Sequence, residues 1–366
     1  MGIRRLGIDI PSPTAGSANS VPAETVKQEA NTAPYTPRDL YQSVTDKIVA
    51  GIEDKAVPWL AAKGIPTAWP CNGISGNTYH GINVPNLMAE MQEDPRWCTF
   101  KQAKEKGWYV RKGEKGTDLF FWKLHEKTVP GEVDEKGDPV VAHFPILKTA
   151  KVFNFAQIEG APPLETADIA FMAHDFSDYA REQIDEIIEN SGADIQDSST
   201  YEKAGYSPTN DTVLMPERSK FKSDSTYYST LLHQLALWAG NRLGIEFGDT
   251  RRSDEYAKAE LRADIATSML CSKLGVPYEL EHCTSYSERH IDILQADKRE
   301  IFKASKDAEN MCRYICAYHP ELREQIEQEH ASQMKNAVAN GAPEEMFDAS
   351  EFDFDLPELE LSGLHP

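Results

Sequence analysis

The sequence predicts an α+β protein: an α+β module, followed by a mainly helical one that carries a small sheet. Three observations predict it. At 366 residues the chain is long enough for two folded parts. Residues 70 to 157 are punctuated by glycine and aromatics and end in short strand-like runs. From residue 178 onward the apolar spacing is helical almost throughout. With 40% hydrophobic and 9% aromatic residues, the chain has what a packed core needs.

Residues 1 to 34 are rich in Pro, Ser, Ala and Thr without periodicity, and are expected to form a flexible leader. The first helix is predicted in "TPRDLYQSVTDKIVAGIEDK", where Leu40, Val44, Ile48 and Ile52 share a face and Pro37 and Asp39 stand near its start. "CNGISGNTYHGINVPNLM" reads as a glycine-rich loop opening a helix near Pro85. "DLFFWKL", "VAHFPILKTA" and "KVFNF" read as strands. These give a first domain over 35–160, with "GAPPLETADIA" as its exit linker. A second domain over 161–341 begins with a helix in "DYAREQIDEIIENSG", stopped by Gly192, and continues with strands in "ADIQ" and "TVLMP". Helices follow in "STYYSTLLHQLALWAG", "EYAKAELRADIATSMLCSKLG", "SERHIDILQADKREIFKASKDAENMCRYICAYH" and "ELREQIEQEHASQMKNAVANG", with Gly275 and Gly341 as stops. Residues 342–366 hold eight acids and no Lys or Arg, interleaved with Phe and Leu, and are expected to be a disordered acidic tail.

The whole chain carries a charge of −21, which argues against a polyanionic partner until the distribution is read. Residues 96–127, "RWCTFKQAKEKGWYVRKGEKGTDLFFWKLHEK", hold nine Lys or Arg against four acids, a local balance of +5. Here Trp97, Phe100, Trp108, Tyr109, Phe121 and Trp122 alternate with Lys101, Lys104, Lys106, Arg111, Lys112 and Lys115. Single-stranded nucleic acid asks for that combination: unpaired bases stack on flat rings while cations displace counterions from phosphate. The competing use of each ring is as core, since large aromatics dominate interiors as readily as binding platforms. The candidate DNA-binding set is Trp97, Phe100, Lys101, Lys104, Trp108, Tyr109, Arg111, Lys112, Lys115 and Trp122.

In the helix "STYYSTLLHQLALWAG" a zinc peptidase would read H-E-x-x-H, and this chain reads His233, Gln234, Leu235, Ala236, Leu237. Gln234 has no useful proton affinity and cannot act as a general base, and Leu237 supplies no ligand. The remaining candidate metal positions are His233 with Glu260 and Asp264 from the next helix. One His and one carboxylate bind zinc weakly. His282 and His290 are further nitrogen donors whose bland use is at the surface or in a hydrogen bond.

The blocks "LYQSVTDKIVAGIEDKAVPWL", "NGISGNTYHGINVPNLM", "RWCTFKQAKEKGWYVRKGEKGT", "FFWK" and "KVFNFAQIEG" resemble the N-terminal single-stranded-DNA-binding domain of the ArdC-type antirestriction proteins of conjugative plasmids. "YSPTNDTVLMP", "SKFKSDSTYYSTLLHQLALWAG" and "EYAKAELRADIATSMLCSKLG" resemble the zincin-like metallopeptidase domain of the same family. The resemblance implies sequence-nonspecific binding of single-stranded DNA, with duplex DNA as a secondary ligand, and protection of incoming plasmid DNA from host restriction. It also implies a cytoplasmic protein open to transfer into a recipient cell, and a host restriction or conjugation protein as partner. No catalytic residue and no resident cofactor are expected; zinc at the remnant positions is the alternative. The other readings are a divergent zinc metallopeptidase with an altered site and a protein-interaction scaffold built on the helical part.

No apolar run reaches the length of a membrane span and the first residues contain no signal-peptide core, so no membrane partner is expected. Six cysteines in a chain of this size do not form a disulfide framework. For the acidic tail three uses are open: a solubilising end, a competitor for the DNA groove, or a docking segment for another protein.

Overall fold

The computed structural model describes residues 39–54, 69–133, 139–164, 176–278 and 287–339. The leader, the acidic tail, Gly341 and His282 lie outside the described residues. Helix α1 (Leu40–Glu53) starts where the Asp39 carboxylate accepts the Gln42 N–H, and it buries Val44, Ile48 and Ile52. That face does not pack on the neighbouring sheet alone. The Thr45 hydroxyl donates to the carbonyl of Lys298, and Asp39 pairs with the Lys298 ammonium, tying α1 to the C-terminal helices.

A four-stranded sheet in the order β1-β2-β5-β4 follows. Strands β1 (Cys71–Asn72) and β2 (Arg96–Thr99) run parallel, and β2 lies antiparallel to β5 (Pro139–Asn154). Strand β4 (Thr117–Val133) and β5 pair from Thr117 with Val152 out to Thr128 with Val141. The two runs expected to be short strands are therefore 17- and 16-residue arms of one antiparallel pair. Helix α2 (Asn83–Met88) is clipped to β4: the Asn83 side chain both accepts the Phe120 N–H and donates to its carbonyl, and Asn86 donates to the Asp118 carbonyl. Helix α3 (Phe100–Glu105) opens with a reciprocal cap, in which Thr99 Oγ1 accepts the Gln102 N–H and Gln102 Oε1 accepts the Thr99 N–H. Strand β3 (Tyr109–Val110) then pairs with β6 (Ile158–Glu159).

Helix α4 (Asp178–Ser191) ends at Gly192, whose φ of 62° is the left-handed stop expected there. Strands β7 (Asp194–Ser198), β8 (Gly205–Ser207) and β9 (Thr212–Pro216) form a sheet in the order β7-β9-β8, with β7 parallel and β8 antiparallel to β9. Helix α5 (Asp224–Arg242) is buried almost all round, and α6 (Asp254–Leu274) crosses it and ends at Gly275. The next helical run divides into α7 (Ser287–Ala296) and α8 (Glu300–Cys316), and α9 (Pro320–Ala339) closes the described chain. The Asp297 carboxylate accepts the Arg299 N–H at the break, a local bond that competes with helix continuation.

One hydrophobic cluster runs from Val44 and Ile48 of α1 through Leu231 and Leu235 of α5 and Leu261 and Met269 of α6 to Met311 and Ile315 of α8. Two smaller clusters lie under the aromatic segment, around Cys98 with Phe155 and around Trp97 with Val152. The described residues form one compact unit. A buried polar joint crosses it: Glu309 of α8 accepts the Gly81 N–H at 2.6 Å and contacts His80 Nδ1 at 2.7 Å.

Candidate nucleic-acid interface and altered metal centre

The basic aromatic segment folds as β2, α3, β3 and the loop leading into β4. Strand β2 is covered on both faces: Trp97, 2% exposed, packs with Leu87 and Val152, while Cys98 on the opposite face joins the cluster around Phe155. Trp97 is therefore a core ring and not a stacking platform, which corrects the expectation for that residue. Trp108 is half-buried, its ring edge-on to Phe155 at 5.4 Å. Phe100 and Tyr109 are 55% and 70% exposed, and Phe121 on β4 is also exposed. Trp122 lies in β4, but its side chain is outside the described residues.

Lys101, Lys104, Arg111, Lys112 and Lys115 are all exposed beside these rings. Lys101 lies 3.7 Å from Glu105, a solvent-exposed pair that water and salt weaken. Arg111 forks onto Glu114, whose second oxygen accepts from Gln157. The Gln157 hydrogen bond and the Arg111 guanidinium hold the Glu114 carboxyl below its ordinary value. The 111–116 loop is thereby fixed on Gln157, the residue before β6, with Gly113 at a φ of 95° that an L side chain rarely adopts.

In the helical part, α5 and α6 bring His233, Glu260 and Asp264 together as expected. His233 Nε2 lies 3.1 Å from Glu260 Oε2, and Nδ1 lies 3.5 Å from Asp264 Oδ1 and 3.3 Å from the Thr267 hydroxyl. His290, from α7, joins them: it is 2% exposed, with Nδ1 3.8 Å from Asp264 Oδ2. Its place was not legible, because nothing in the spacing of α7 points to α6. Burial alone would favour neutral His233, but the Glu260 hydrogen bond and the charges of Glu260 and Asp264 raise it above its ordinary value. Burial likewise opposes ionised Glu260, yet the His233 hydrogen bond and charge bring it below its ordinary value. Burial pushes His290 down to about 4, so it stays neutral at pH 7.

This arrangement does not fit a catalytic metal. Both ring nitrogens of His233 face oxygen atoms directly, Nε2 on Glu260 and Nδ1 on Asp264 and the Thr267 hydroxyl, so the ring is engaged in hydrogen bonds where a metal would need its lone pair. Leu237 occupies the second-ligand position, 2% exposed among other leucines. Among the described residues no group of three or more His, Cys, Asp or Glu is arranged to hold a metal ion. Beside the cluster opens a cleft of about 490 Å³, lined by His233, Gln234 and Glu260 from the two helices and by Lys203 to Gly205 from β8 and its approach. The cations on its walls, Lys203, Lys220, Lys222 and Arg251, come from separate segments, which is why the linear sequence did not group them.

Comparison with known proteins agrees with this division. Residues 38–153 match the N-terminal domain of anti-restriction factor ArdC, and residues 182–307 match a zincin-like metallopeptidase family. The metal-free crystal structure of the antirestriction ArdC protein from the R388 plasmid superposes with a TM-score of 0.63 at 34% identity, covering 78% of this chain and 99% of that one. The chain belongs to the ArdC-type antirestriction family. The Mn(II)-bound structure of the same ArdC protein gives a TM-score of 0.59 at 32% identity over 77% of this chain and 99% of that one. A DNA primase TraC of Escherichia coli is 34% identical over 83% of this chain, but the chain spans only 29% of that protein. An uncharacterized protein, y4eC of Sinorhizobium fredii, is 28% identical over 78% of this chain and 94% of its own length. Within the ArdC-type frame this chain keeps the α5–α6 helix pair while Gln234 and Leu237 remove the base and the second ligand. Among the described residues no helix is long and apolar enough to cross a membrane.

Proposed function

We propose that this ArdC-type chain binds single-stranded DNA through the face made by α3, β3 and the 111–116 loop, and shields incoming mobile-element DNA from restriction without hydrolysing peptides. One observation carries the reading. Of the large hydrophobic side chains most exposed among the described residues, Phe100, Tyr109 and Phe121 fall in this one segment, amid its lysines. A monomer has no packing reason to leave those rings in water, and bases need flat rings next to cations. The working set is Phe100, Tyr109 and Phe121 with Lys101, Lys104, Arg111, Lys112 and Lys115, and the exposed part of Trp108. Residues near 160 divide a DNA-binding part from a zincin-like part that supports it. Action inside the cell and in a recipient after conjugation, and contact with a host restriction or conjugation protein, follow from the same proposal.

The peptidase reading fails on chemistry, because Gln234 cannot accept the proton that hydrolysis requires. The test is the affinity for a labelled single strand of about 30 nucleotides and for its duplex at two salt concentrations. Single-strand preference is expected. Phe100→Ala and Tyr109→Ala should each lose about 1–3 kcal/mol of binding, the usual worth of one stacked base. His233→Ala should leave DNA affinity unchanged. Equal affinity in the ring variants would sink the proposal.

A further inference from the structure

The cleft beside His233 has more cations than acids on its walls: Glu202 and Glu260 line it with Lys203, Lys220, Lys222 and Arg251, and Glu202 is already paired with Lys220. Lys203, Lys222 and Arg251 stand exposed on its walls, while Phe221, Tyr256 and Pro216 supply apolar surface. Gln234, 6% exposed, lines it, and its buried Oε1 has no hydrogen-bond partner among the described residues. A buried amide oxygen left in this way costs free energy unless a ligand donates to it. One wall carries Gly205 of β8 and the two residues before it, and β8 is the outer strand of the order β7-β9-β8, paired on one side only within that sheet. Arg251 lies over that strand, its Nη2 3.1 Å from where a Cβ on Gly205 would stand.

An edge strand, a buried acceptor and a cationic wall together suit an extended acidic peptide: backbone pairs with the strand, side chains alternate between apolar surface and cations. The chain contains such a peptide. In residues 351–356 the acids Glu351, Asp353 and Asp355 alternate strictly with Phe352, Phe354 and Leu356, the period of a strand with two unlike faces. The eight acids and absent Lys and Arg of residues 342–366 complement the Lys and Arg of the cleft walls, and the strict two-residue alternation suits the cleft's strand more than the α3–β3 face. From the end of α9 at Ala339 to Glu351, twelve residues reach about 40 Å when extended, about twice the radius of gyration of a domain this size. Tethering on that length supplies a local concentration of about millimolar, so a weak contact is enough.

We infer that residues 351–356 of the same chain add to β8 and occupy the former peptidase cleft, their acids on Lys203, Lys222 and Arg251 and a backbone N–H on Gln234 Oε1. The cleft thus becomes a receptor for the protein's own tail, held and never cut. This goes beyond DNA binding and does not depend on it.

Amide hydrogen exchange of the full chain tests it at residues 203–207. A tail variant carrying Glu351→Gln, Asp353→Asn and Asp355→Asn should exchange there about tenfold faster, with α6 unchanged. So should a second tail variant, Phe352→Ser with Phe354→Ser, and a cleft variant, Lys203→Glu with Arg251→Glu. The tail variants touch none of the described core, so a folding defect does not imitate the result. Exchange at β8 that stays the same in both tail variants overturns the inference. Protection that disappears on dilution would overturn it too, by assigning the strand to a second copy of the chain.

Discussion

His233 sits with one ring nitrogen on Glu260 and the other towards Asp264, buried with both carboxylates. Removing it leaves two buried carboxylates facing each other. His233→Ala should therefore cost about 3 kcal/mol of stability in urea unfolding, the usual penalty for breaking a buried pair. The pH dependence follows from the directions of the shifts. The raised His233 stabilises fully below the unfolded histidine value of 6.5, and that contribution is lost as pH rises through the higher folded value. The lowered Glu260 stabilises above its unfolded value of 4.5, and that contribution is lost as pH falls through the lower folded value. The difference between the full chain and His233→Ala should be largest between these two limits and should shrink in alkali; a difference that grows above pH 9, ~2.5 units past the free histidine value, would refute the charged pair. At this scale the sequence told which residues meet but not their neighbours. The i, i+4 spacing exposed the loss at Leu237, whereas His290 arrives from another helix and Trp97 is buried by a pairing of β2 with β5 that no local pattern encodes.

Helices α4, α5 and α6 were legible from their apolar spacing, and α4 and α6 also from their stops, Gly192 and Gly275, which take positive φ; the serine caps, Ser177, Ser223 and Ser253, each accepting an N–H of the first turn, came to light only in the structure. The long β4–β5 arms and the little strand β8 were not, since pairing partners far apart in sequence decide strand length. Helix α8 has a role its amphipathic pattern did not reveal, for it presents Glu309 to the glycine-rich turn at His80 and Gly81. Burial opposes the charge on Glu309, but His80, Arg313 and the Gly81 N–H hold the carboxyl down at about 2. Its stabilising contribution is present above the unfolded value of 4.5 and is lost as pH falls towards about 2. Glu309→Gln should cost about 2 kcal/mol near neutrality, as an impaired buried charge-assisted contact does. Urea midpoints of the two proteins should converge below pH 4; parallel midpoints throughout would refute the role.

Across the whole molecule the charge of −21 and the local excess of Lys and Arg on one face act over different distances. If six cations of residues 101–115 meet phosphates, the logarithm of single-strand affinity should fall against the logarithm of salt with a slope of about −4. Changing Lys101 and Lys112 to Gln should flatten it by about 1.4. A slope near zero would mean that the rings act without the cations. The hydrophobic cluster that joins α1 to α5, α6 and α8 leads to a second expectation at this scale. Calorimetry of the full chain should show one cooperative transition for the residues from 39 to 339, because neither half can release its apolar surface without exposing the other's. Two separated transitions would contradict it.

The leucine at position 237 limits what a single substitution can do in this protein. A histidine placed there alone would bury an imidazole at a position now 2% exposed and held by a leucine, with no partner established for it. A glutamate placed at Gln234 alone would add a third carboxylate beside Glu260 and Asp264, with His233 as the nearest cation. Each single substitution is disfavoured for folding before it can be favoured for hydrolysis, and only the pair would supply both the general base and the second ligand. Hydrolysis in this frame therefore requires both changes at once, and variants of this chain are expected to tolerate change in the cleft's contents more readily than in the helices that enclose it.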